Sequence, residues 1–235
     1  MMPLPGVLGL AAPFSSGAGV VTFRDAGAMI IRAADTTVAP KVPLGALDGD
    51  LLVAVIMRRS AAAFDPPSGW TLVSNAGPAS ASGVTQYTHV YTKAATGVEG
   101  GGAVTFTQAA SGRIIGQIIA IAGSTGTPAA ESQSTASLDS STINSIAFPS
   151  ISSAGNGRLA MAVGSLTLAA SGGSVTGLSA PGWAIRSTPL IAENRMGIFT
   201  SSIASGESTS GTMTSTIDPT ADTGATSNAL IFAAP

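Results

Sequence analysis

GDLLVAVIMRRSAAAFDPPSGW, residues 49–70, is the stretch from which the fold is read. It opens in the turn Asp48-Gly49-Asp50, where Asp and Gly tolerate positive φ and the carboxylate can bond to nearby backbone. The run Leu51 to Met57 is apolar at nearly every position, which predicts a strand buried on both faces rather than one face only. Arg58 and Arg59 end the run, and Pro66-Pro67-Ser68-Gly69 turns the chain onto Trp70. The same order returns later, as Gly157-Arg158-Leu159-Ala160-Met161-Ala162-Val163 and then Ala180-Pro181-Gly182-Trp183. Trp70 and Trp183 are the only two tryptophans. The chain reads as a duplicated half.

The duplication can be followed almost throughout. Leu51 to Met57 pairs with Leu159 to Ser165, and His89-Val90-Tyr91-Thr92 with Gly197-Ile198-Phe199-Thr200. The strand around Val104 to Thr107 pairs with Thr212 to Thr216, and Ile118 to Ile121 with Leu230 to Ala233. Gly, Ser and Thr every few residues weaken any helix, through backbone entropy and competing side-chain hydrogen bonds. Short runs rich in Val, Ile, Thr and Phe between turn residues predict a β-sandwich or barrel. Strands are expected at Val20 to Phe23, Ala28 to Arg32, Leu51 to Met57, Trp70 to Ser74, Thr85 to Thr92, Ala103 to Thr107 and Ile114 to Ala122. Thr36 to Leu44 is extended, and its prolines place it at an edge. In the second half strands are expected at Ile143 to Phe148, Leu159 to Leu166, Trp183 to Ser187, Met196 to Ser202, Gly211 to Ile217 and Asn228 to Ala233. The expected organisation is therefore an arm with the first strands (1–35), a first β half (36–123), a Ser/Thr/Ala/Gly-rich connection (124–141) and a second β half (142–235).

Composition narrows the partners. Charged residues make up 9% of the 235, against roughly 25% in ordinary globular domains. Lys41 and Lys93 are the only lysines and the net charge is -2, so there is no basic footprint for nucleic acid or an anionic membrane. A mean hydropathy of +0.42 gives a free monomer little colloidal protection, and a homo-oligomer is expected. Without cysteine there is no disulfide, thiolate metal site or cysteine nucleophile. No apolar run reaches the ~18 residues of a membrane span. The start, MMPLPGVLGLAAPFSSGAG, lacks the Lys or Arg that opens a secretory signal, and Pro3, Pro5 and Pro13 forbid a stable helix. It reads as an extended arm whose apolar side chains, Phe14 among them, need a neighbouring subunit to cover them.

Side chains that could carry chemistry each have a plainer reading. His89 is the single histidine, and no acidic residue on its strand marks a triad partner. Tyr87, His89 and Tyr91 share a strand face, either as an aromatic patch for a sugar or partner, or as a half-buried face. Asp48 and Asp50 could offer oxygens to Ca²⁺, but turn formation accounts for them. Asp65, Asp218 and Asp222 are further loop carboxylates, and no two acidic residues mark the shared cleft that glycoside hydrolysis needs. The tryptophans could be sugar platforms, or plugs at the end of each half. Arg58 and Arg59 could anchor an interface. Gly100-Gly101-Gly102 has no following helix or Lys-Ser/Thr and is no phosphate loop. No cofactor is expected.

The segments Gly49 to Ala54, Pro66 to Val73, Tyr91 to Gly97, Val104 to Thr107 and Ile118 to Gly123, with Thr127-Pro128 and Ala180-Pro181-Gly182-Trp183, resemble a β-sandwich module of bacteriophage structural proteins. Such modules occur in minor tail, fibre and head-decoration proteins and in prophage-derived surface proteins. The resemblance covers residues 36–235 and implies a jelly-roll-like all-β fold and a non-catalytic, multimeric virion role. The expected location is the virion, assembled in the host cytoplasm and extracellular once released, with other virion proteins as partners. A tail or fibre component is the first expectation, a capsid decoration protein the second, and a host-glycan adhesion module the third.

Overall fold

The computed structural model describes residues 19–81, 84–124, 133–140, 145–168, 175–179, 182–187, 194–208, 211–217 and 223–234. The regular structure among them is all strand. The first half holds β1 (Thr22–Ala26), β2 (Ile30–Val38), β3 (Leu51–Arg58), β4 (Phe64–Asp65), β5 (Thr71–Ala81), β6 (Val84–Ala94) and β7 (Phe106–Ala122). The second holds β8 (Gln133–Ser140), β9 (Ser145–Ala147), β10 (Arg158–Leu168), β11 (Val175–Ser179), β12 (Ala184–Ser187), β13 (Asn194–Ile203), β14 (Thr212–Ile217) and β15 (Thr223–Phe232). No described helix is long and apolar enough to cross a membrane.

Each half builds one large antiparallel sheet, and the two have the same strand order. It is β1-β7-β3-β6-β5 in the first and β8-β15-β10-β13-β12 in the second. A smaller three-strand group also repeats: β4 and β2 flank the start of β7, as β11 and β9 flank β14. From β7 to β5 and from β15 to β12 the registers match residue for residue. Val55 opposes Val90 and Gln117 in the first sheet; Val163 opposes Ile198 and Asn228 in the second. Even the bulge at Val73, between Leu72 and Ser74, returns at Arg186, between Ile185 and Ser187. Gly69 and Gly182, each before its tryptophan, both hold positive φ (84° and 80°), where a side chain would be strained.

The large sheets pack face to face as a β-sandwich. Leu51, Val53, Val55 and Met57 from β3, with Val90, Ile115, Ile119 and Ile121, meet Leu159, Met161, Val163, Met196, Ile198, Leu230 and Phe232 in one core. The alternate residues Leu52, Ala54 and Ile56 point the other way, into a second core with Val38, Val42, Trp70, Tyr91 and Phe106. β3 is thus buried on both faces, and every one of its residues is closed to solvent. On the outer side of the second sheet, Ala160, Ala229 and Ile231 pack with Ile151, Ile203 and Trp183.

Four expectations change. The β7/β15 pairing is one residue off: Leu159 opposes Phe232 as Leu51 opposes Ile121, so Ile118 to Ile121 matches Ala229 to Phe232. A one-residue slip exchanges the faces of a strand, and the observed register is the one that puts Leu230 and Phe232 between the sheets. Next, Ala103 to Thr107 and Ile114 to Ala122 are not separate strands, because β7 runs on through Ser111-Gly112. Gly112 is there for close approach rather than for a turn: a Cβ on it would lie 2.8 Å from the Arg59 carbonyl oxygen. Asp25 and Ala26, which lie between the expected strands Val20 to Phe23 and Ala28 to Arg32, belong to β1. Finally, the 124–141 connection contains β8, hydrogen-bonded along β15; an edge strand needs few apolar side chains, because its backbone pairs on one side only. Residues 1–18, with Phe14, lie outside the described residues.

Candidate functional site

The densest group of chemistry-bearing side chains is on the outer face of the first sheet, where β3 ends. Period-two alternation on β6 brings Tyr87, His89 and Tyr91 onto one face. The register sets Arg58 opposite Tyr87, and β4 lays Phe64 over them. The Phe64 and His89 rings stack 5.3 Å apart and nearly parallel, and His89 stacks between Tyr87 and Tyr91 at 6.0 Å from each. The Arg58 guanidinium carbon lies 4.7 Å from the centre of the Tyr87 ring and 5.4 Å from that of Phe64. Its Nε donates to His89 Nε2 at 2.9 Å, and Nη1 donates to the carbonyls of Ser60 and Ala62.

This is a packed corner. His89 is 6% exposed, Arg58 6% and Tyr91 2%, and only Tyr87 of the three ring residues is half-buried. Arg58 therefore does not meet solvent as its place at the end of the apolar run implied; the β4 loop folds over it and offers carbonyls. Arg59 is half-buried, and its N–H donates to the Arg113 carbonyl. Burial pushes the Arg58 guanidinium below its ordinary value. Burial and, second, the Arg58 charge push His89 down to about 4. Burial pushes Tyr91 up to about 12, opposed by Arg58 and helped by Asp65. The imidazole is thus neutral and accepts from an arginine, the reverse of a general base set up by a carboxylate.

The sign of the pH effect follows. A folded-state pKa below the unfolded 6.5 means that His89 supports the fold fully above pH 6.5. That support is lost as pH falls from 6.5 through 4, a change of about 3 kcal/mol in total. Between pH 7.5 and 4.5 the urea midpoint of the unmodified chain should fall clearly more than that of His89→Gln. Identical pH profiles for the two would refute this assignment.

The carboxylates flanking Gly49 separate. Asp48 is exposed, whereas Asp50 is 3% exposed. Asp50 Oδ2 accepts from the Leu47 N–H at 2.8 Å and from Arg24 Nε at 2.6 Å. Arg24 thus occupies the place a cation would take, and among the described residues no three His, Cys, Asp or Glu side chains group as metal ligands. Asp65 is exposed on β4; Asp218 and Asp222 fall outside the described residues. Asp50→Asn removes the charge from both bonds and should cost about 1.5–3 kcal/mol, read as a lower denaturation midpoint. An unchanged midpoint would mean that Arg24 finds another partner.

Trp70 is 8% exposed and meets Phe106 edge-on at 5.6 Å. Trp183 meets Phe148 in the same way at 5.5 Å. A small cavity of about 220 Å³ lies against Trp70, between Val42, Leu52 and Val104, with the Lys93–Glu99 ion pair at its side. A wider groove of about 490 Å³ runs between Asp25–Ala28 and Lys41–Leu44.

What sequence reasoning missed is on the loops. Leu44 is 84% exposed and Val98 89%, and Leu47, on the same loop into β3 as Leu44, is exposed too. Gly101 is close to Leu44 and Gly97 to Asp48, so these loops share one end of the molecule. On the edge strands, Leu72 and Ile185 hold equivalent positions, and both are exposed. A run of loop residues carries no periodicity from which such exposure could be read. No family model, no curated protein and no solved structure matches the chain.

Proposed function

We propose that the protein is a non-catalytic structural component of a bacteriophage particle, of the minor tail or fibre type. It acts as a rigid jelly-roll-like block that docks onto neighbours through its N-terminal arm and its low-charge loop ends. The observation that carries this reading is the pair of exposed aliphatic tips, Leu44 and Val98, on a chain with 9% charged residues. Water-facing leucine and valine of that degree, on two loops that approach each other at Gly97 and Gly101, favour burial against another protein surface. The buried charged side chains Asp50 and Arg58 are meanwhile spent on the fold: Asp50 on Arg24 and Leu47, Arg58 on His89 and two carbonyls.

Quantitative mass spectrometry of purified particles tests it. The protein should be present at a fixed copy number, and deleting residues 1–18 or changing Leu44 and Val98 to Asp should lower its incorporation. A copy number matching the capsid lattice would move the assignment to a decoration protein. Absence from particles, or undiminished incorporation of both variants, would end it.

A further inference from the structure

The two halves pack as a two-fold pair pack. β1 and β2 together form the edge along β7 that corresponds to β8 along β15, and β5 corresponds to β12. β1 meets β12, where the Arg186 guanidinium carbon lies 4.1 Å from the centre of the Phe23 ring, and β5 lies against β8. Each edge therefore faces the counterpart of the other edge, which is the signature of an isologous contact. Two such faces made only of apolar side chains would fit each other in more than one way.

One side of this pseudo-axis is polar. Thr88 Oγ1, Ser165 Oγ and Thr226 Oγ1 form a closed triangle with sides of 2.6, 2.6 and 2.7 Å. Gln86 Nε2 donates into it, to Ser165 Oγ at 2.8 Å and Thr226 Oγ1 at 3.1 Å, and to the Ser165 carbonyl at 3.2 Å. All four residues are completely buried. Ser74 Oγ, donating to Asn228 Oδ1 at 2.7 Å, continues the layer toward the edge. Through the matching registers, the counterparts of Ser165, Thr226 and Thr88 are Met57, Ile115 and Met196. All three are fully buried and belong to the apolar core between the sheets. Hydroxyls stand on one side of the pseudo-axis and thioethers and aliphatics on the other.

We propose that Gln86, Thr88, Ser165 and Thr226 form a pairing key, which makes the inner face of the first half accept the inner face of the second in a single register and orientation. Any other seating would bury the hydroxyls and the Gln86 amide against methionine or isoleucine, with donors left unmet. A single buried polar position is known to set register in paired helices at some cost in stability, and the layer does the same for paired sheets.

The full-length variant Q86L/T88V/S165A/T226V replaces the key by apolar side chains of similar size. Its denaturation midpoint should be no lower than that of the unmodified protein, while its ¹H–¹⁵N spectrum shows doubled or broadened amide signals along β6, β10 and β15. S165A alone, which leaves the other three facing a gap, should lower the midpoint and keep one set of signals. One sharp set from the fourfold variant, unshifted away from the substituted sites, would overturn the proposal. Should that variant not fold, T88V/T226V is judged by the same spectrum, and a single sharp set there overturns it equally.

Discussion

Phe232→Ala will lower the stability of the chain by about 3–5 kcal/mol, and a chain ended at Ser227 will show no cooperative unfolding transition. Phe232 is fully buried and opposes Leu159 at the start of β10. It lies in the core that both large sheets share, together with Leu51, Ile121 and Leu230. Removing its ring leaves a void lined by residues of both halves, and sheets anchored by long ladders cannot close over it. The truncation goes further, because it takes Asn228 to Phe232 away from the central β10, and with them the outward Ala229 and Ile231. Circular dichroism in a urea titration reads both effects. A truncated chain with a sharp transition would show that β10 does not depend on β15, contrary to the register described above.

Trp70→Ala is the second large effect, about 3–5 kcal/mol, and Trp183→Ala should cost roughly 1–3 kcal/mol less because its indole is only half-buried. Trp70 closes the outer core of the first half against Phe106, and the cavity beside it would merge with the space left by the indole. Trp183 packs on Phe148 at the equivalent place but keeps part of its surface in water. Each substitution leaves one tryptophan, so fluorescence then reports on the opposite half alone. Since the main core draws on both sheets, the Trp183 signal of Trp70→Ala should move to lower denaturant together with the circular dichroism. A Trp183 transition left in place would mean that the halves unfold independently.

Much of this was legible in residues 49–70. Leu51 to Met57 has no polar member, so it had to be covered on both sides, and it is. Turn residues before each apolar run gave the strand boundaries to within a few positions for β3, β6, β10, β12 and β13. Tyr87, His89 and Tyr91 fall on one face because a strand alternates. That Phe64 would cover them could not be read, since β4 is two residues long and its approach is set by the loop after Arg59.

The sequence by itself determined the all-β class, the duplication and the doubly buried strand. All three are properties of local pattern: alternation, turn chemistry and repeated order. Only the tertiary structure decided parity, because Ile118 to Ile121 and Ala229 to Phe232 are buried on both faces and so carry no polar marker of which side is which. It alone decided that the duplicate sheets stack on one another, with Thr88, Ser165 and Thr226 meeting from three strands far apart in the chain. It also turned the Asp48-Gly49-Asp50 turn into one exposed carboxylate and one held by Arg24, since burial depends on what the remainder of the chain brings to that end.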